Sequence, residues 1–253
     1  MGETGETRGQ VDGIWCAPEG DAERADRLAR TLGCPVREGA PADGELALVL
    51  DACGLWLSGD RMRMRGDFAA MAKRMRPGNL SRELLVRAAK VKGVAEAHVV
   101  DATAGMGEDA FLLAAAGFRV TLFERDPVIA ALLLDALGRA AADERTAGAA
   151  ARMTFVEGDS IEALAHWEAP APDVVLLDPM FPERRKSAAV KKKFQLIHRL
   201  EKPCADEADL LAAARAAAPR KIVVKRPPKG PHLAGAAPSY SLQGKAVRYD
   251  CYV

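Results

Sequence analysis

The chain has no run of roughly 18 or more consecutive apolar residues, which excludes a helical membrane span on sequence grounds. Its first ten residues, MGETGETRGQ, are polar and glycine-rich with no apolar h-region; a disordered tail is expected there, not a signal peptide. Cysteines are few: Cys16, Cys34, Cys53, Cys204 and Cys251 are scattered, odd in number and never spaced C-x-x-C. That argues against a disulfide framework or a zinc site and for reduced thiols in a cytoplasmic protein. The four histidines (His98, His166, His198, His232) lack metal-ligand spacing, so no metal is expected. Internal repeats and obvious signals for an obligate protein partner are also lacking.

Net charge is nearly absent as well, at +1, but its distribution is lopsided. Residues 61–76 hold six Lys/Arg and one acid, residues 184–199 hold seven and none, and residues 220–229 hold five and none. These 42 residues carry half of the 36 basic side chains, which leaves the remaining chain at −16. One such cluster is most simply a solvated face. Three sharing one asymmetry point to a surface that meets a polyanion.

From His98 to Arg226 short apolar runs alternate with helical patterns. HVVDA, RVTLFE, MTFVEGD, DVVLLD and KIVVKR have the β-branched, apolar character of buried strands. GEDAFLLAAAG, DPVIAALLLDALGRAAAD, SIEALAHW and DEADLLAAARAAA fall between them with helical periodicity. Asp126 can cap the second helix, with Pro127 at its first position. Strands that alternate with helices imply a mostly parallel, doubly wound α/β sheet. SYSLQGKAVRYDCYV predicts a C-terminal hairpin. Residues 11–77 differ: GIWCAP, ELALVL, GLWLSG and RMRMR surround one helix, GDAERADRLARTLG, and predict a small N-terminal α/β subdomain. PGNLSRELLVRAAKVKG predicts one connecting helix from about Asn79 into a main domain of residues 78–253.

The string VVDATAGMGEDAF places Gly105 and Gly107 after a strand and before a helix, where glycine lets a ligand approach the backbone. Glu124 ends the next strand, 19 residues after Gly105, and is placed to accept from ribose hydroxyls. The pattern fits both a dinucleotide and S-adenosylmethionine (SAM). Glu108 and Asp109 open the helix; they would repel a pyrophosphate but can accept from an ammonium or amide, which favours SAM over NAD. Asp159 and Ser160 close the third strand, where Asp159 either accepts from an adenine amine or caps the next helix. Asp178 closes the fourth. Pro179 and Pro182 stiffen the chain and remove two N–H donors, so carbonyls near Pro179 can act as acceptors. Phe181 offers a stacking face for a base. A carboxylate, a carbonyl acceptor and an aromatic plate are equipment for orienting an exocyclic amine toward an electrophilic methyl.

These residues resemble the class I SAM-dependent methyltransferases, and Asp178-Pro179-Met180-Phe181 resembles the (Asp/Asn)-Pro-Pro-(Tyr/Phe) motif of amino-methylating enzymes, with Met180 in place of the second proline. DATAGMGEDAF, ERDPVIAALLLDAL, LLDPMFPERRKSAAVKKK and VVKRP together resemble the RsmJ (YhiQ) family over roughly residues 60–253. That family methylates a guanine N2 of 16S ribosomal RNA in the bacterial small subunit. The resemblance implies a Rossmann-like domain whose SAM pocket is lined by Asp101, Gly105, Gly107, Glu108 and Asp109, and by Glu124, Arg125, Asp159, Ser160 and Asp178. It implies that Asp178, Pro179 and Phe181 receive the flipped guanine. It also implies that Arg184, Arg185, Lys186, Lys191, Lys192 and Lys193, with Lys225 and Arg226, grip RNA phosphates. Other amino acceptors (DNA adenine, a protein amide, a small amine), an NAD-dependent oxidoreductase and a catalytically dead RNA-binding module are the competing readings.

Overall fold

The computed structural model describes residues 11–179, 196–197, 199–200 and 206–253. Two compact units divide them. The first takes residues 11–66 and 126–139 and the described residues of 196–200; the second takes 67–125, 140–179 and 206–253.

The first unit is built on a five-stranded sheet of order β2-β1-β3-β4-β5. Its strands are β1 (Gly13–Cys16), β2 (Val36–Arg37), β3 (Ala47–Asp51), β4 (Gly54–Gly59) and β5 (Met62–Met64). β1 lies parallel to β2 and β3, and the β3-β4-β5 meander is antiparallel. The helix α1 (Ala22–Leu32) starts where the Asp21 carboxylate accepts from the Arg24 N–H and stops at Gly33, whose φ of 66° is the left-handed C-terminal cap. β2 is only two residues long and exposed, too short for a periodicity signal, and is the one strand here absent from the sequence reading.

The second unit carries a seven-stranded sheet of order β11-β12-β10-β9-β6-β7-β8. β6 (His98–Asp101), β7 (Arg119–Glu124), β8 (Met153–Glu157), β9 (Val174–Leu177) and β10 (Lys221–Arg226) are parallel. The hairpin β11 (Tyr240–Gln243) and β12 (Arg248–Tyr252) adds antiparallel to β10. All four residues of β9 are fully buried, so the run has no polar face to alternate.

Crossover segments are α4 (Glu108–Ala115), α5 (Pro127–Ala142), α6 (Ala147–Ala150), α7 (Ser160–Ala165) and α8 (Glu207–Ala216). Val100, Val175, Leu177 and Val224 form one core with Leu164 of α7 and Leu210 of α8. The Asp126 carboxylate caps α5, accepting from the N–H groups of Val128 and Ile129 at 2.9 and 3.0 Å.

The connecting helix expected from about Asn79 is two short helices, α2 (Pro77–Leu80) and α3 (Leu84–Ala89). Pro77 starts a single helical turn two residues before the expected start, and Gly78, Asn79 and Ser81 propagate helix poorly. Glu83 then turns extended at ψ 127°, and its carboxylate binds the Arg74 guanidinium through two bonds of 2.9 and 3.1 Å. No helix of the described residues is long and apolar enough to cross a membrane. The ten N-terminal residues lie outside the described part.

Candidate active site

In open parallel sheets the ligand edge is the carboxyl end of the strands, outside the point where strand order reverses. Here the chain runs outward from β6 through β7 to β8 and then crosses back to β9 on the other side of β6, so that edge gathers the residues after Asp101, Glu124, Glu157 and Leu177. The first loop is stitched to its neighbours by backbone bonds: the Ala102 N–H donates to the Leu176 carbonyl and the Ala104 N–H to the Phe123 carbonyl, both at 3.0 Å. Gly105 and Gly107 then take φ of 53° and 75°, a conformation that costs side-chain-bearing residues. A Cβ placed on Gly105 would meet open space, so the turn's positive φ, not crowding, calls for glycine there.

Glu124, only 8% exposed, accepts the Gly105 N–H at 2.9 Å. It therefore fixes the glycine turn as well as presenting a carboxylate at the β7 terminus. Arg125 pairs with Asp159 at 3.6 Å. The Asp159 carboxylate also caps α7 by accepting from the Ile161 N–H at 2.8 Å, while Ser160 is buried. Asp159 thus performs the capping of its two expected roles, and its place at the carboxyl edge leaves it beside the same crevice.

Acids crowd the centre. Asp101 is 2% exposed and accepts from the Thr103 N–H at 3.1 Å. Burial, helped by Asp109 and Asp178, pushes its carboxyl up to about 8, so it holds a proton at neutral pH. Asp178 is also raised, chiefly by burial, although the Lys225 ammonium pulls the other way. Its N–H donates to the Thr103 hydroxyl at 2.6 Å, which fixes the start of the Asp-Pro turn. Lys225 Nζ lies 2.6 Å from Asp109 Oδ2 and 2.8 Å from Asp178 Oδ2. Burial works against the Lys225 charge, but the two carboxylates outweigh it and raise its pKa. Glu108, beside Asp109 at the start of α4, is exposed.

The structure therefore brings Asp101, Gly105, Gly107, Asp109, Glu124 and Asp178 to one edge, with buried Pro179 after them. Phe181, Arg184, Arg185, Lys186, Lys191, Lys192 and Lys193 lie outside the described residues, as do Met180 and Pro182. Two residues expected to contact phosphate have partners within the protein. Arg226 is 1% exposed and its guanidinium binds Glu207 at 2.8 Å, which leaves it inside the protein. Lys225 has its ammonium between two carboxylates. Elsewhere in the run 220–229, Arg220, mostly exposed, pairs with Asp173 at 3.3 Å, and the Lys221 ammonium donates to the carbonyls of Ala88 and Lys90. Thr103 was not singled out from sequence; its hydroxyl role needs the β6–β9 pairing, which no local pattern reveals.

The group a class I fold would bind can be tested against these residues. A strand-edge carboxylate, a glycine turn and acids at the helix start suit a ligand rich in donors and free of phosphate. SAM has that donor set: Glu124 would meet its ribose hydroxyls, and the acids around Asp109 its ammonium. Among the described residues no group of His, Cys, Asp and Glu is arranged to hold a metal ion. Fold and site together define a class I SAM-dependent methyltransferase.

The comparisons agree and go further. Residues 41–253 match the family described as "Putative SAM-dependent methyltransferase". The ribosomal RNA small subunit methyltransferase J of Stutzerimonas stutzeri is 44% identical over 234 residues, 90% of each chain. That of Chromobacterium violaceum is 44% identical over 246 residues, 95% of each chain. A SAM-dependent methyltransferase of Neisseria gonorrhoeae, known from its crystal structure, superposes with a TM-score of 0.75 at 34% identity over 95% of both chains. The chain belongs to the ribosomal RNA small subunit methyltransferase J family. The match extends well into the N-terminal unit, where the motif resemblance had stopped near residue 60.

Proposed function

We propose that the protein methylates the exocyclic N2 amine of a guanine in small-subunit ribosomal RNA, acting in the cytoplasm. The observation that carries this reading is Asp178: it follows β9 at the same edge as the glycine turn, its backbone N–H donates to Thr103, its carboxylate meets Lys225, and its side chain is still 37% exposed. The relatives' names supply the RNA class. SAM, when bound, supplies an electrophilic methyl group on a sulfonium. An exocyclic amine has its lone pair drawn into the ring; acceptors on its hydrogens raise the electron density at nitrogen and aim it. Asp178 and the carbonyl of Pro179 would act as those acceptors, and Phe181 would stack the extruded base. With the methyl passing from sulfur to nitrogen and the sulfonium leaving as a neutral thioether, the amine would lose one proton, which Asp178 would accept and pass to water.

The test is methyl transfer from tritiated SAM to small ribosomal particles from cells lacking the protein, with mass-spectrometric mapping of the product nucleoside. Methylguanosine at one position is the expected product; label in DNA or protein in place of RNA would overturn the reading. Asp178→Ala should lower kcat by about 100- to 1,000-fold. Its fold should survive, as judged by circular dichroism, and unchanged turnover would sink the site.

A further inference from the structure

Lys225 was expected to grip phosphate, because it lies in a basic run. Its geometry is different. β10 pairs with β9 in a register that sets Val224 opposite Leu177, so Lys225 comes level with Asp178. On the other side β12 sets Tyr249 opposite Lys225. The ammonium lies within 2.8 Å of both Asp109 on α4 and Asp178 on the Asp-Pro turn.

We propose that Lys225 is a positioning residue for methyl transfer: it fixes Asp178 through Oδ2 and ties it to the first turn of α4, leaving Oδ1 to meet the acceptor amine. This rests on the reading of Asp178 given above. Among the described residues Oδ1 has no other hydrogen-bond partner. The groups facing Asp178 are Asp101 from β6, Asp109 from α4, Lys225 and Arg226 from β10, with Tyr249 from β12 beside Lys225. Arg226 is engaged by Glu207. Among the described residues Lys225 is the cation that contacts both Asp109 and Asp178; Arg125 pairs with Asp159, and Arg74 acts on Asp109. Without Lys225, burial and the neighbouring carboxylates would drive Asp178 to take up a proton. A protonated Asp178 is a weaker acceptor and loses the bond that orients it.

The tie also joins the two halves of the reaction. Asp109 belongs to the helix that begins at the glycine turn, and Asp178 to the turn that would receive the base. A lysine that served only RNA phosphates would change affinity and salt dependence. A lysine that positions Asp178 changes turnover and its pH profile.

The experiment compares Lys225→Met, Lys225→Arg and Asp178→Ala with the wild type. Lys225→Met should lower kcat by about 100-fold with KM for the ribosomal particle within about twofold of wild type, and it should move the acid limb of the kcat–pH profile upward by about one unit or more. Lys225→Arg restores the positive charge and should return the acid limb to its wild-type position. A readout free of catalysis accompanies these: carbon-detected NMR titration of Asp178 in the ligand-free protein, where Lys225→Met should raise the midpoint. Unchanged kcat, an unchanged Asp178 midpoint and a raised KM with shallower salt dependence in Lys225→Met would overturn the proposal and return Lys225 to phosphate binding. If Lys225→Met does not fold, Lys225→Gln takes its place with the same readouts: a raised Asp178 midpoint with lowered kcat supports the proposal, and an unchanged midpoint and kcat overturn it. Unchanged turnover in Asp178→Ala would instead refute the assignment of the site itself, whatever the Lys225 variants do.

Discussion

The two sheets are built alike, each with parallel strands extended by an antiparallel meander or hairpin, yet they treat charge in opposite ways. In the five-stranded sheet charged groups find opposite partners nearby. Arg61 meets Asp43 at 2.7 Å and Arg63 meets Asp51 at 3.2 Å. Arg63 and Arg65 also lie over the Trp56 ring, at 4.9 and 4.2 Å, while the Trp56 indole N–H donates to Asp51. The buried acid of that unit, Asp135, lies between Arg24 and Arg139, each at 2.8 Å. At the carboxyl edge of the seven-stranded sheet, acids outnumber cations. Asp101, Asp109 and Asp178 share the single ammonium of Lys225, and Asp101 stays protonated near neutral pH. Imbalance of this kind lowers stability, and it concentrates where a donor-rich ligand would complete the set.

Three changes would break or sharpen that contrast. The largest effect on stability is expected at Asp135: replacement by Ala strands two cations and should cost about 3–5 kcal/mol, seen as a lower urea midpoint. If Asp135→Ala left the midpoint unchanged, the claim that the first unit depends on its charge pairing would fall.

Asp101→Asn should do the reverse. A carboxyl raised to about 8 in the folded state keeps a proton that the unfolded chain has released above about pH 4. The contribution of Asp101 to wild-type stability therefore falls as pH rises from about 4 to 8. The Asn variant has no such penalty, and its advantage should grow across that window to about 1–3 kcal/mol; urea midpoints at pH 5 and pH 8 check this. An advantage equal at both pH values would contradict the protonated assignment.

The smallest effect is expected at Arg61, 82% exposed on its side chain. Arg61→Ala should leave the urea midpoint within error, because exposed ion pairs are screened by solvent. A clear loss would mean that the first unit's surface pairs contribute more than exposure allows.

Much of the ligand edge was legible because strand ends are local signals. Apolar runs that stop at Asp101, Glu124 and Asp178 announce both the strands and the carboxylates they deliver, and positive φ at Gly105 and Gly107 follows from a glycine turn opening a helix. The basic run 220–229 was legible as composition, but not which of its cations pair inside the protein. Residues 220–229 are rich in cations, but Arg226 is sealed against Glu207 and Lys225 lies between acids from elements more than forty residues away. The break between α2 and α3 was hidden because a continuous helical pattern gives no sign that Glu83 turns extended and binds Arg74.

The sequence by itself determined the strand–helix alternation, the glycine turn, the acids at strand ends and, through its motifs, the methyltransferase family. Those features depend on residues near one another in the chain, where periodicity and backbone preference act directly. Only the tertiary structure decided which charges cancel. The pairing of β10 beside β9 sets Lys225 level with Asp178, and that register, not the basic run in which Lys225 sits, turns an expected phosphate contact into a partner of the site's acids.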